Sequence, residues 1–119
     1  MTVVTDTKTW LHVPATESVY HQGVVYLDKL TFGGETFCAE ATFRSGTPGF
    51  ATTARIIIRD ALDNTRLNTT YTQWLPAGTT GTLMRRMFTL PKDTTNLTVF
   101  FGRNGGAAID VTDCRIYKV

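Results

Sequence analysis

Apolar and polar side chains alternate along most of this chain with a period of two residues. Such a period places every second side chain on one face of an extended strand, so that one face is buried and the other meets solvent. The positions that the pattern assigns to the core are Val25, Leu27, Phe37, Ala39, Ala41, Phe43, Ala54, Ile56, Ile58, Leu97, Val99, Phe101, Ile109 and Val111. No segment shows the helical period over a length that would predict a helix.

Turn-forming segments separate these stretches at intervals of about eight to twelve residues. They contain Gly, Pro, Asn and Asp, each of which favours turns for its own backbone reason. The segments are Pro14, Gly33-Gly34, 45–49, 60–65, 76–81, 91–93 and 102–106. About eight strands spaced in this way predict an all-β protein with two antiparallel sheets packed as a β-sandwich.

The N-terminal segment, residues 1–23, is predicted to be extended and to precede a sandwich domain at residues 24–119. An extended arm can add a strand to the sheet edge of a neighbouring subunit, because backbone N–H and C=O groups are unpaired there. The segment is more apolar than a loose arm needs, which makes five of its residues candidates for partner binding: Val3, Val4, Trp10, Leu11 and Val13. The pattern leaves open whether the segment packs on its own sandwich or on a neighbour.

The two cysteines are predicted to face opposite ways. Cys38 alternates with the core positions of its strand and is expected to be a surface thiol. Ile116 joins the core face of the last strand only if that strand changes phase near Thr112 and Asp113, as a β-bulge allows, and Cys114 then faces inward as well. One outward and one inward thiol cannot bridge, so we expect two free cysteines.

Two apolar residues, Ile57 and Phe100, fall on the polar side of their strands. They indicate either packing at the edge of the sandwich or an apolar patch that a partner covers. The pattern does not distinguish these alternatives.

Composition narrows the class of protein. The chain has 119 residues, of which 42% are hydrophobic and 18% charged, as expected for one globular domain. The net charge is only +2 and the arginines are scattered, so we expect no nucleic-acid partner. No 18-residue apolar stretch and no signal peptide are visible, so no membrane association is expected.

The sequence offers little with which to do chemistry. The two histidines, His12 and His21, have no Cys, Asp or Glu at metal-ligand spacing, and no serine lies in a nucleophile motif. Gly102 to Gly106 lies between strands rather than before a helix, which is the context that a phosphate loop requires. We therefore expect a protein that is not an enzyme and that binds no metal or cofactor.

The order of motifs resembles a known family. A Gly-Gly turn leads into TFCAEATFRSG, a later strand runs into Phe88-Thr89-Leu90-Pro91, and the chain closes on LTVFFG and AAIDVTDCRIY. In this order the motifs resemble the jelly-roll carbohydrate-binding modules that bind xylan and cellulose, and similar small jelly rolls of bacteriophage head and tail proteins. The resemblance covers residues 24–119 and implies a jelly-roll sandwich.

The resemblance also implies a sugar-binding face with aromatic platforms. Sugar rings stack on aromatic side chains through their apolar C–H faces, while amides and hydroxyls bind the sugar hydroxyls. Tyr71, Trp74 and Asn68 are the candidates for such a face. Tyr71 and Trp74 lie in opposite phases of one strand, however, so a regular strand cannot present both on one side.

Two functions fit these observations. The first is a structural protein of a bacteriophage virion, specifically a capsid decoration (cement) protein that binds the major capsid protein or other virion subunits as a trimer or dimer. It would be assembled in the host cytoplasm. The alternative is a carbohydrate-binding module that recognises a polysaccharide or a host-surface glycan. The incomplete aromatic platform favours assembly at this point.

Overall fold

The computed structural model describes residues 2–5, 9–16, 24–28, 35–60, 65, 67–91 and 96–119. The described part contains nine strands: β1 (Thr2–Thr5), β2 (Thr9–Val13), β3 (Val24–Asp28), β4 (Thr36–Ser45), β5 (Thr52–Asp60), β6 (Asn68–Leu75), β7 (Thr82–Thr89), β8 (Asn96–Gly106) and β9 (Ile109–Lys118). The predicted Gly33-Gly34 turn and most of the loop at 60–65 lie outside the described residues.

The strands form two antiparallel sheets that pack face to face. The five-stranded sheet has the order β1-β2-β9-β4-β7, and the four-stranded sheet has the order β3-β8-β5-β6. Neighbours in each sheet are mostly distant in sequence, as in a sandwich whose chain crosses between layers. The predicted all-β, two-sheet antiparallel sandwich is confirmed.

The core lies between the sheets and consists of the side chains that the alternation selected. Every predicted core position on β4, β5, β8 and β9 belongs to one buried cluster, in which Phe43, Ile56 and Phe101 are fully buried. Met84, Phe88 and Leu90 complete it from β7 and the turn that follows. The side chains of Val25 and Leu27 lie outside the described residues, although β3 itself pairs with β8.

The N-terminal strands belong to the same sandwich as the rest of the chain. β2 pairs with β9 through Leu11, His12 and Val13, and β1 pairs with β2. The sequence-based boundary between residues 23 and 24 therefore separates strands that lie in one sheet. Adding β2 extends the five-stranded sheet and covers the core beside Val111, which explains why the segment is apolar.

Ile57 is 2% exposed although it lies on the outer side of β5, and Phe100 is half-buried with the Arg59 guanidinium carbon 5.4 Å from its ring centroid. Of the two alternatives that the sequence left open, packing within this chain therefore accounts for Ile57. An arginine stem and head group can cover apolar surface in this way.

Candidate functional site

A β-bulge in β9 determines which of its side chains reach the outer surface of the five-stranded sheet. Glu40 pairs with Arg115 and Thr42 pairs with Thr112, so β9 carries one extra residue between these pairs. Asp113 there adopts a left-handed backbone with φ of 52°, a conformation that Asp tolerates better than most residues. The predicted change of phase is confirmed: Cys114 and Ile116 pack against the core.

The same change of phase creates a cluster of charged and aromatic groups on the outer surface. Without the extra residue, Arg115 and Tyr117 would share the side of Ile109 and point into the core. With it they flank Glu40 from β9, while Arg85 flanks Glu40 from β7. We call Glu40, Arg85, Arg115 and Tyr117 the Glu40 cluster.

Glu40 is a buried carboxylate between exposed cations. It is 2% exposed, whereas the side chains of Arg85 and Arg115 are 49% and 66% exposed. Its oxygens lie 3.5 Å from Arg85 Nη2 and 3.3 Å from Arg115 Nη2, longer than well-formed charge-assisted hydrogen bonds. The guanidinium groups of Arg85 and Arg115 can therefore donate hydrogen bonds to a ligand while they stay paired with the Glu40 carboxylate.

The protonation states of the cluster are fixed by its own contacts. The hydrogen bond from the Tyr117 hydroxyl, together with the charges of Arg115 and Arg85, holds the pKa of Glu40 below its ordinary value of 4.5, against the opposing effect of burial. Hydrogen bonds with Cys38 and Glu40 raise the pKa of Tyr117 to about 12. At neutral pH Glu40 is thus an acceptor and Tyr117 a neutral phenol.

Three members of the cluster, Glu40, Arg85 and Arg115, form part of the wall of an open cavity of about 670 Å³, which Thr42, Leu83, Asp113 and Cys114 complete. Leu83, Met87 and Tyr117 are exposed large apolar side chains on the same side of the sheet. The cavity therefore combines hydrogen-bond donors, hydrogen-bond acceptors and apolar contacts, with two carboxylates to balance two guanidinium groups. Such a surface suits a neutral ligand rich in hydroxyl groups.

A second carboxylate on the same surface holds β2 in the sheet. Asp110 accepts a hydrogen bond from His12 Nδ1 at 2.6 Å and one from Arg44 Nε at 2.9 Å. The side chain of Asp110 is 6% exposed, and the guanidinium of Arg44 lies 4.2 Å from the centroid of the Trp10 ring. Arg44 thus reaches from β4 across β9 to β2, and joins the three strands by charge and stacking.

This second group borders a cavity of about 660 Å³ at one end of the sandwich. The β4–β5 and β6–β7 loops form the rest of its wall, through Ser45 to Gly49 and Gly78 to Thr80. A Cβ at Gly46 would lie 3.0 Å from His12 Cε1 and from Asp110 Oδ1, so only glycine lets the loop pack this closely. Ser45 Oγ lies 2.8 Å from the backbone oxygen of Thr47 and 2.7 Å from that of Phe50, so its one proton is shared between these acceptors, which stabilises the loop.

Three of the five residues predicted to bind a partner through an N-terminal arm lie inside the sandwich of this chain. Trp10 and Val13 are buried in this chain, and Leu11 packs against the core. In this chain the three side chains pack within the sandwich, and their role in binding a partner stays a prediction. Val3 and Val4 lie on β1, which forms the edge of the five-stranded sheet, and their side chains lie outside the described residues.

The residues predicted to bind a glycan lie on two sides of β6. Trp74 is 65% exposed and Asn68 is exposed on the outer side, whereas Tyr71 is half-buried against the core. The Tyr71 hydroxyl donates to the backbone oxygen of Met87 at 3.5 Å, and the Arg86 guanidinium lies 5.9 Å from the centroid of its ring. The structure therefore brings Trp74 and Asn68 to one surface and excludes Tyr71 from it, as the opposite phases indicated.

The sequence did not identify the Glu40 cluster, although alternation placed Glu40 on the outer side of β4. Arg85, Arg115 and Glu40 come from three strands, and only the pairing of these strands brings them together. The Cys38 prediction was wrong in a related way: Cys38 is on the outer side but only 1% exposed. It lies between Met87 and Tyr117 on the neighbouring strands, whose large side chains cover it. Both thiols are free, as predicted.

The ranges that the structure describes contain neither a candidate metal site nor a candidate membrane-spanning helix. In those ranges no group of three or more His, Cys, Asp or Glu side chains lies close enough to hold a metal ion. The same ranges contain no helix that is long and apolar enough to cross a membrane.

Several solved structures share this fold. No protein-family model matches this sequence, and no curated protein is similar to it. A CBM22-1–GH10 fragment of xylanase 10B from Clostridium thermocellum, complexed with xylohexaose, superimposes with a TM-score of 0.64 at 17% identity. The match covers 98% of this chain but only 24% of that larger one. The CBM22-1 xylan-binding domain of Paenibacillus barcinonensis Xyn10C gives a TM-score of 0.58 at 9% identity, over 92% and 93% of the two chains.

A bacteriophage protein is also similar. The enzymatically active domain of tailspike protein 4 from bacteriophage CBA120 superimposes with a TM-score of 0.55 at 11% identity, over 98% of this chain and 15% of that one. At these identities the likeness is one of fold. The fold of this chain is thus that of the carbohydrate-binding modules of families 22 and 4, as the order of its motifs indicated.

Proposed function

We propose that this protein is a non-catalytic carbohydrate-binding module that binds a neutral polysaccharide in the cavity of the Glu40 cluster. The observation that carries the proposal is a fully buried carboxylate at the base of an open cavity, flanked by two largely exposed arginines. Burying a carboxylate is costly unless it is paired. Even when it is paired, apolar residues of similar size would give the sheet about the same stability. Such an arrangement is more typical of a binding site than of a structural ion pair.

The cluster matches the chemistry of a sugar ring. A carboxylate and a guanidinium side by side accept from and donate to neighbouring hydroxyls, since one provides only acceptors and the other only donors. Leu83 in the cavity wall provides a contact for the apolar C–H faces, and Tyr117 and Met87 extend the apolar surface beyond the cavity on the same side of the sheet. The fold supports the same class of ligand, because solved structures that share it bind xylan or xylohexaose.

The test is binding to a panel of soluble polysaccharides, including xylan, β-glucan, mannan and a uronic-acid polymer, by affinity electrophoresis and then by calorimetry. Arg115→Ala removes an exposed side chain and is expected to leave the fold intact, yet to weaken binding to a neutral polymer at least tenfold, a loss of about 1.4 kcal/mol. Lys118→Ala is the matched control, since it removes an exposed cation of the same strand that does not border the cavity. Equal binding by wild type and Arg115→Ala, or no binding to any polymer, would refute the proposal.

A second candidate function is assembly in a bacteriophage virion, as a capsid decoration protein that binds the major capsid protein. It is supported by Leu83 and Met87, which are 49% and 58% exposed on the outer side of the edge strand β7, one on each side of Arg85. Each such side chain contributes about 1.5–3 kcal/mol when a partner buries it. The likeness to a tailspike domain supports a phage setting at the level of fold.

Contacts at β7 favour side-chain docking over strand addition in this second case. The backbone oxygens of Arg85 and Met87 already accept hydrogen bonds from the Arg86 guanidinium, at 2.8 Å, and from the Tyr71 hydroxyl. A strand that added to this edge would have to displace both. The test is light scattering coupled to size exclusion, with binding to capsid shells measured in parallel. Assembly is supported if the wild type is a dimer or trimer and the double variant Leu83→Ser, Met87→Ser is a monomer. It is also supported if the wild type binds capsid shells and the double variant does not. A monomeric wild-type protein that does not bind capsid shells would refute assembly.

A further inference from the structure

The outer surface of the four-stranded sheet carries a strip of side chains that the Glu40 cluster does not involve. The outward side chains of β6 are Asn68, Thr70, Thr72 and Trp74, and all four are exposed. We call them the β6 strip. They follow one another at about 7 Å, twice the rise per residue of a strand, so the strip is about 20 Å long.

The chemistry of the strip is uniform. It contains two hydroxyls, one amide and one indole, and no charge. Within the described part of the chain, none of the four makes a side-chain hydrogen bond, so their donors and acceptors meet solvent. On β5, Thr53 lies beside Trp74 and Ile57 beside Thr70, while Arg55 and Arg59 lie beside Thr72 and Asn68 and add hydrogen-bond donors along the inner side of the strip.

The indole of Trp74 is the least expected member of the strip. It is 65% exposed, whereas Trp10, the other tryptophan, is 5% exposed beneath Arg44. A large flat ring left in water on a sheet surface is a ready contact for an apolar face. Three polar side chains in line with it favour a ligand rich in hydroxyl groups over a protein partner, whose contact would have an apolar centre.

We propose that the β6 strip is a second polysaccharide-binding surface, in which a neutral chain lies along β6 with one sugar ring stacked on Trp74 and its hydroxyls bound by Thr72, Thr70 and Asn68. The inference rests on the proposed function of the Glu40 cluster. The outer surfaces of the two sheets point in opposite directions, so one sugar segment cannot reach both. The protein is therefore bivalent, and it cross-links polysaccharide chains.

Bivalence has a consequence that a single site lacks. Two weak sites on one rigid body bind a long polymer far more tightly than either binds a short oligosaccharide, because the second contact is intramolecular. Wild-type protein mixed with long soluble xylan is therefore expected to form scattering networks at intermediate ratios and to lose them in excess protein or in excess xylohexaose.

Calorimetry with xylohexaose and light scattering with long xylan test the inference on five proteins. Wild type is expected to bind two hexasaccharides and to cross-link. Trp74→Ala and Arg115→Ala each bind one and do not cross-link, and the double variant binds none. Phe50→Ala, which removes another ring that is 60% exposed but lies in the β4–β5 loop, is the matched control and behaves as wild type.

The two proposals fail in different ways. One hexasaccharide per wild-type chain, with unchanged affinity in Trp74→Ala, overturns the second surface and leaves the Glu40 cluster standing. Binding that Trp74→Ala abolishes and Arg115→Ala leaves intact overturns the Glu40 cluster and makes the β6 strip the single site, without bivalence. No binding to xylohexaose or to any polymer of the panel overturns both.

Discussion

Replacing Asp110 with alanine tests how β2 is held in the five-stranded sheet. The substitution removes the acceptor of two charge-assisted hydrogen bonds, from His12 Nδ1 at 2.6 Å and from Arg44 Nε at 2.9 Å. It also leaves the Arg44 guanidinium over Trp10 without the counter-charge that orients it. We expect the free energy of unfolding to fall, and β2 to lose its fixed position on β9.

The size of the loss follows from burial. A hydrogen bond to a charged group contributes about 1.5–3 kcal/mol. The Asp110 side chain is 6% exposed, but those of His12 and Arg44 are 24% and 20% exposed, so water compensates part of the loss at the donors. The expected decrease is about 3 kcal/mol, at the lower end of what breaking a buried pair costs. With a urea m-value of about 2 kcal/mol per molar, the unfolding midpoint falls by about 1.5 M.

Urea unfolding followed by tryptophan fluorescence measures this change, since Trp10 lies within the group. Asp110→Asn keeps the shape and one acceptor and is expected to lose less. Lys118→Ala is the matched control: its ion pair with Glu35 is 3.1 Å long, but the two side chains are 56% and 36% exposed, so the loss should stay below about 0.5 kcal/mol. If Asp110→Ala lowers the midpoint no more than Lys118→Ala does, the buried group does not hold β2 and the reasoning is wrong.

Three further outcomes are expected. Asp113→Val forces a β-branched residue to φ of 52° and should lower the free energy of unfolding by about 1–2 kcal/mol, whereas Asp113→Gly, which tolerates this φ, should not; equal stability of the two variants would contradict the role of the bulge. Because the pKa of Glu40 is lowered in the folded protein, its contribution to stability is complete above the ordinary value of 4.5 and disappears as the pH falls through the lowered value. Wild type should thus lose more stability below pH 4.5 than Glu40→Gln does in chemical unfolding. Burial, with the nearby charge of Asp113, raises the pKa of Cys114 to about 11, and Cys38 is covered, so a thiol reagent at about pH 8 should label native protein far more slowly than denatured protein; equal labelling rates would contradict this arrangement.

The sequence predicted the layers of this protein better than its surfaces. Alternation identified the inward residues of β4, β5, β8 and β9, and even the change of phase in β9, because the side-chain direction along a strand is a local property. The same rule placed Cys38 and Glu40 on the outer side correctly. It could not show that both are buried there, because burial on an outer surface depends on the side chains of the neighbouring strands.

The N-terminal segment illustrates the same division. Its apolar residues were evident, and the two extended stretches agree with β1 and β2. Which sheet edge they join is a question of pairing over long distances: His12 and Asp110 are 98 positions apart and meet in one hydrogen bond. No local pattern contains that information, so an arm for a neighbour and a strand of the same sandwich were equally consistent with the sequence.

By itself, the sequence determined an all-β sandwich, its core, its bulge and two free thiols, since each follows from a period of two residues. Only the tertiary structure decided which charged groups meet on the outer surfaces: Glu40 with Arg85 and Arg115, and Asp110 with His12 and Arg44. The physical reason is that strand order and register, which no single strand encodes, set the neighbours of every outward side chain.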